Sequence, residues 1–133
     1  MIALALALVA AAHPAPRPAD PLLGTWMNRK QTVAVAIGRC GPGYCGRVVW
    51  AAPAAQQAAA EGGTPRLVGT MLMRDFRPAG RGLWDGEVFV ADLGQTAQAE
   101  MALVGPSEIE INGCELGGLM CKRQVWHRAP VPR

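Results

Sequence analysis

The chain has 133 residues, half of them hydrophobic and 17% charged, with a formal net charge of +3. That is enough chain for one domain and too apolar a chain for a disordered or charged tail. The positive charge is mild and dispersed over Arg29 and Lys30, Arg74 and Arg77, Lys122 and Arg123, which excludes the dense basic stripe of a nucleic-acid binder.

Residues 1–12, MIALALALVAAA, are apolar throughout after Met1. The run is too short to span a bilayer and suits the core of a signal peptide, with Ala10 and Ala12 suitably small for a cut before His13. A buried N-terminal helix is the alternative. Pro14, Pro16, Pro18 and Pro21 argue against it, because they would detach such a helix from the fold. Residues 13–21 then form a stiff Pro-rich leader, and residues 22–128 the folded domain, with 129–133 as a tail. No second apolar run follows and no cysteine adjoins the first, so neither a transmembrane anchor nor a lipid-modified terminus is expected after signal removal.

QTVAVAI (31–37) alternates Val33, Val35 and Ile37 with small or polar residues, the period of a strand with one buried face. Gly38 to Gly46 reads as a turn and Arg47–Trp50 as the start of the next strand. APAAQQAAAEGG (52–63) breaks the rhythm and reads as a long loop or one short helix between Pro53 and Gly62. LVGTMLM (67–73) is a predicted strand flanked by Pro65 and Pro78. Gly80, Gly82 and Gly86 mark turns around Trp84. EVFVA (87–91) and AQAEMALV (97–104) are predicted partners across a turn at Asp92–Gln95, with Met101 and Leu103 on one side. EIEIN (108–112) turns Ile109 and Ile111 inward, and KRQVWHR (122–128) closes the domain. Eight or nine short strands with frequent turn signals predict an all-β, antiparallel up-and-down barrel, whose closure removes exposed sheet edges.

The four cysteines, Cys40, Cys45, Cys114 and Cys121, allow three pairings. Cys40 with Cys45 and Cys114 with Cys121 is favoured, because each pair brackets a turn and hairpin neighbours come within disulfide reach. Loops this short place each bridge near the low end of about 2–4 kcal/mol. A four-thiolate zinc site is the rival. Its pairs are usually two to four residues apart, whereas here four and six residues intervene. No metal and no cofactor is therefore expected. The even number of cysteines suits an exported domain.

Trp26, Trp50, Trp84 and Trp126 read first as core and barrel-end packing. Trp50, Met71, Met73, Trp84, Phe89 and Met101 are candidates for an apolar ligand cavity, methionine being well suited to an adaptable pocket. Small alanines alternating along 31–37 leave room inside an eight-strand barrel, which has space for its own side chains or one small ligand. Asp75, Asp85 and Glu87 could supply paired carboxylates but read as solvated turn acids. His127 reads as a surface residue. The only serine, Ser107, lacks the setting of a nucleophile. The chain is not expected to be an enzyme.

LLGTW (22–26), GYCGRVVW (43–50), the Pro-flanked strand near 67–78, GLWDGEVF (82–89) and CELGGLMCKRQVW (114–126) together resemble DUF2147, a family of exported bacterial proteins of unassigned function. The resemblance runs from about Leu22 to Arg128. It implies a barrel like those of lipocalins and fatty-acid-binding proteins, and no reaction. One departure stands out: where the family carries an Asp-Pro, Gly-Lys, Tyr run, this chain reads Ala91-Asp92-Leu93-Gly94-Gln95-Thr96. GTW also resembles the Gly-x-Trp at the start of lipocalin barrels. That likeness implies that Trp26 plugs one barrel end beneath an arginine of the last strand. Arg123 and Arg128 lie on opposite faces of that strand, and Val125 is expected to face the core, so Arg123 is the predicted partner. The sequence thus predicts a periplasmic or secreted barrel that binds a small apolar or amphipathic molecule. A non-catalytic envelope structural or interaction module, with a filled interior and an exposed apolar patch near 51–65, is the alternative. No protein partner is identified.

Overall fold

The computed structural model describes residues 20–115 and 120–132, with the isolated positions 3 and 5. The rest of residues 1–12, where a signal peptide is expected, and residues 13–19 and 116–119 lie outside the described residues. The chain winds through β1 (Gly24–Asn28), β2 (Val33–Cys40), β3 (Gly43–Ala51), α1 (Pro53–Glu61), β4 (Met71–Gly80), β5 (Leu83–Val90), β6 (Gln95–Leu103), β7 (Glu108–Glu115) and β8 (Met120–Arg128). Each strand pairs antiparallel with the next, and β8 returns to β1 to close an eight-strand barrel.

Three boundaries differ from the sequence reading. β2 and β3 run almost to their junction, so the turn shrinks to Gly41-Pro42, with Gly41 in the left-handed region at φ 57°. The strand expected at 67–73 begins only at Met71, because Thr70 N–H bonds back to Leu67 O at 3.0 Å and ties off a turn. That strand then runs through Pro78, which is tolerated because the β4–β5 register shifts between Pro78 and Gly80. Gly86 lies inside β5 rather than in a turn. A Cβ there would sit 2.7 Å from Phe76 Cγ, so its missing side chain is the space the Phe76 ring fills.

The two disulfides join Cys40 to Cys45 and Cys114 to Cys121. Cys114 and Cys121 are directly opposed in the β7–β8 ladder, with Cα atoms 4.0 Å apart. Cys40 and Cys45 sit diagonally across the β2–β3 hairpin at 5.7 Å. The bridges staple opposite ends of the barrel, so the four sulfurs cannot converge on one zinc ion. Two disulfides point to an oxidising environment.

One end of the barrel is closed. Leu22 and Trp26 are wholly buried there, and Trp26 Nε1 donates to Leu22 O at 3.0 Å. Val35, Val48, Phe76, Trp84, Met101 and Ile109 pack the same half. The Arg128 guanidinium lies 4.3 Å from the Trp26 ring and donates to Leu23 O at 2.7 Å, to Pro106 O at 3.0 Å and to Pro21 O. One cation therefore ties the entering chain and the β6–β7 turn to the indole that plugs the end. The expectation that Arg123 would do this is corrected. Trp126, paired with Ile109 and Asn28, is the inward residue of β8, so Val125 and Arg123 take the outer face and Arg128 the inner. Misjudging one residue's face inverts the whole strand. Arg123 instead pairs with Glu110 on the outer wall at 2.6 Å.

Removing Arg128 uncovers the buried indole and unties the Pro21, Leu23 and Pro106 carbonyls from it. Arg128→Ala is expected to lower unfolding stability in urea by about 1–2 kcal/mol. Arg123→Ala, which breaks an exposed pair, is expected to change it by at most about 1 kcal/mol.

Candidate functional site

The opposite end of the barrel is open. A cavity of about 700 Å³ opens between the β1–β2 turn, α1, the β5–β6 turn and β8. Met73, Val88, Ile111 and Trp126 form its apolar floor and walls, with Val33 and Leu72 beside them. The room comes from small residues on the inward register: Ala97 faces Val88, and Ala99 lies between Gly86 and Gly113. Leu72 owes its inward position to a bulge. Gly46 pairs with Met73 and Arg47 with Met71, so Leu72 is the extra residue between them.

α1 forms the roof. Its alanines favour a helix, and Ala55, Ala58 and Ala59 face the space with side chains small enough to let the backbone lie close. Pro53 starts the helix, and Gln56 Nε2 anchors it to Ala51 O at 2.9 Å. At its far end Gly62 packs so tightly on the backbone of Asp92 that a Cβ would fall 1.9 Å from the Asp92 carbonyl oxygen. Thr64 Oγ1 reinforces that contact by donating to Ala91 O at 2.8 Å. The roof is thus bolted to the β5–β6 turn.

The β1–β2 turn is equally well fixed. Asn28 Oδ1 accepts from the Thr32 and Val33 amides at 2.8 and 3.0 Å, and Asn28 Nδ2 donates to Thr32 Oγ1 at 2.8 Å. Gln31 takes a left-handed conformation, φ 57°, within this grip. Arg29 and Lys30 are thereby held at the rim. Gln124 also lines the cavity, and its Oε1 accepts from Trp126 Nε1 at 3.3 Å.

The six residues expected to line a cavity divide into three pairs. Met73 and Phe89 do line it. Phe89 stands at the edge, with the Arg74 guanidinium 4.8 Å from its ring centroid. Trp84 and Met101 face inward but belong to the packed half, where Trp84 meets Tyr44 edge-on at 6.4 Å. Trp50 and Met71 are not lining residues. Trp50 pairs with Ala34 and Met71 with Arg47, both on the outer face of the wall. The alternation of QTVAVAI pointed to Val33. Leu72 was hidden by the bulge, and Trp126 by the inverted face of β8. Asp85 and Glu87 share the outer face of β5, and Glu87 accepts from Gln98 there at 3.2 Å. Among the described residues no three His, Cys, Asp or Glu side chains cluster as metal ligands.

A shallower hollow at the closed end is bordered by Asp20, Arg39, Tyr44 and Trp84. Asp20 Oδ2 accepts from the Tyr44 hydroxyl at 2.5 Å and from Arg39 Nη2 at 2.8 Å, while Oδ1 accepts from Leu22 N–H at 3.2 Å. Burial pushes the Asp20 carboxyl upward, but the Tyr44 hydroxyl, the Leu22 amide and Arg39 together outweigh it and hold its pKa below the ordinary value. Tyr44 is raised, first by burial and then by donating to the Asp20 carboxylate. A depressed carboxylate stabilises the fold above its unfolded pKa, and that contribution disappears as pH falls through the folded value. A raised tyrosine stabilises below its unfolded pKa and loses the contribution as pH rises through the folded value. Wild-type stability is expected to decline below about pH 4 and again above about pH 10. In urea titrations across pH, Asp20→Asn should flatten the acid limb.

A family model described as "Uncharacterized protein conserved in bacteria (DUF2147)" matches residues 24–128. Curated proteins returned no match. Among solved structures the fold is similar to protein HP1028 from Helicobacter pylori, described as belonging to the lipocalin family. The TM-score is 0.62 at 14% identity, over 83% of this chain and 84% of that one. At that identity the likeness speaks to the fold alone.

Proposed function

Because the chain belongs to the DUF2147 family of bacterial proteins, whose members carry no assigned reaction, we propose that it is an exported, non-catalytic binder of a small apolar or amphipathic molecule. The observation that carries this reading is the cavity of about 700 Å³. Its size falls in the range of about 300–1,000 Å³ usual for small-molecule sites, and its walls are mostly apolar with a few polar groups at the rim. A barrel serving only as a structural module would be expected to fill this end with side chains, as it does the other.

The closed end supports the same reading. A plugged end and an open end leave one route in, and a roof of alanines offers an apolar surface without occupying the space. The apolar run at 1–12 together with two disulfides supports a periplasmic or secreted location.

The test uses N-phenyl-1-naphthylamine, a neutral apolar fluorophore that brightens when it leaves water. Wild-type protein is expected to bind it saturably. Val88→Trp, which projects an indole into the cavity, should weaken binding by about tenfold or more, equivalent to about 1.4 kcal/mol. Val49→Trp, on the outer wall, should leave it unchanged. An absence of saturable binding by folded wild-type protein would defeat the proposal. Native mass spectrometry of protein purified from its own envelope should show a non-covalent adduct in the same state.

A further inference from the structure

Two basic doublets far apart in sequence meet at one place in the barrel. Arg29 and Lys30 follow β1 directly, and Lys122 and Arg123 stand near the start of β8. β1 and β8 are ladder partners, with Asn28 opposite Trp126. The continuation of β1 into its turn therefore runs beside residues 122–125 of β8. Arg29 and Lys30 line the mouth of the cavity, and Arg123, turned to the outer wall with Glu110, borders the same side of its rim. Asp92, the one carboxylate among the lining residues, stands on the β5–β6 turn, half-way round the barrel.

The four cations differ in how they are engaged. Arg123 is paired with Glu110 at 2.6 Å. For Arg29 and Lys30, no ion pair is found among the described residues, although Asn28 and its bonds to Thr32 and Val33 fix the turn that carries them. An uncompensated pair of positive charges held over the opening of an apolar cavity is a poor arrangement for a neutral ligand. It suits a molecule whose tail enters the cavity and whose single negative group stays at the rim, in partial contact with water. The lining supplies both halves: Val33, Met73, Val88 and Trp126 below, Arg29 and Lys30 above.

We infer that the ligand is an anionic amphiphile, with an apolar tail in the cavity and a carboxylate or phosphate head held between the β1–β2 turn and β8. This rests on the binding role proposed above and adds the charge of the ligand. Solvent-exposed charge contacts are individually weak, so the preference over a neutral analogue is modest and sensitive to salt.

The test pairs two probes of equal length, decanoate and 1-decanol, titrated calorimetrically into purified protein at pH 8 and low salt. Decanoate is expected to bind about five- to tenfold more tightly. Arg29→Gln combined with Lys30→Gln should bring decanoate down to the affinity of decanol while leaving decanol unchanged. Raising the salt to about 0.5 M should do the same to wild type. Decyl phosphate should follow decanoate. Lys122→Gln, further from the cavity, should produce a smaller loss in the same direction. Equal affinities for decanoate and decanol in wild type would overturn the inference and leave the cavity reading intact. So would a preference for decanoate that survives the double substitution. Failure of both probes to bind would sink the two together.

Discussion

The barrel depends on the stacking of Arg128 over Trp26. This contact sits at the seam where the last strand meets the first, so it joins the two ends of the chain's path through the sheet. A guanidinium can do this where an ammonium could not. Its planar fork covers the indole with its face and still directs N–H groups to the carbonyls of Pro21, Leu23 and Pro106. The indole in turn spends its only donor on Leu22 O, so the plug carries no unpaired polar group into the core. Closure of the sheet, burial of the entering segment and anchoring of the β6–β7 turn thus share one residue pair.

With that end sealed, the molecule is polarised along its axis. Phe76, Trp84, Met101 and Ile109 fill the closed half. Towards the other end the inward positions shrink to Ala97 and Ala99, and the barrel is left open inside. The disulfides mark the same axis. Cys40–Cys45 holds the β2–β3 hairpin at the closed end and Cys114–Cys121 holds the β7–β8 hairpin at the open end. The connections at the open end are tied in different ways. The β1–β2 turn is held by the Asn28 carboxamide, and the roof by the glycine contact between Gly62 and Asp92 with the Thr64 hydroxyl beside it. A cavity framed in this way is held open by the protein's own contacts.

The same axis separates two kinds of electrostatics. At the closed end Asp20, Tyr44 and Arg39 form a compensated cluster with every charge answered, which serves to hold the entering chain. At the open end the compensation is incomplete: Arg123 has Glu110, and Arg29 and Lys30 face the opening. Compensated charge stabilises the protein's own fold, and uncompensated charge at a cavity mouth is available to something else.

The architecture was legible in the amino acids because it rests on local signals. Period-two alternation in VAVAI and EIEIN, glycine and proline punctuation, and cysteines bracketing short turns each depend only on neighbours in the chain. Together they determined an antiparallel barrel, its hairpin bridges and the helix or loop at 52–63, whereas the role of Trp26 as a barrel-end plug was implied only by the likeness of GTW to the start of lipocalin barrels. The lining of the site was decided elsewhere. Whether Val125 or Trp126 faces inward depends on the ladder β8 makes with β1 and β7, and that choice alone moved the stacking arginine from Arg123 to Arg128. Leu72 enters the cavity through a bulge created by pairing with β3. Trp50 and Met71 leave it because their partners Ala34 and Arg47 lie on the outer face. The convergence of Arg29 and Lys30 with Lys122 and Arg123 exists only once β1 and β8 are joined. Strand formation is written in short-range periodicity, whereas the face a residue presents and the distant residue beside it are set by register, which only the closed sheet defines.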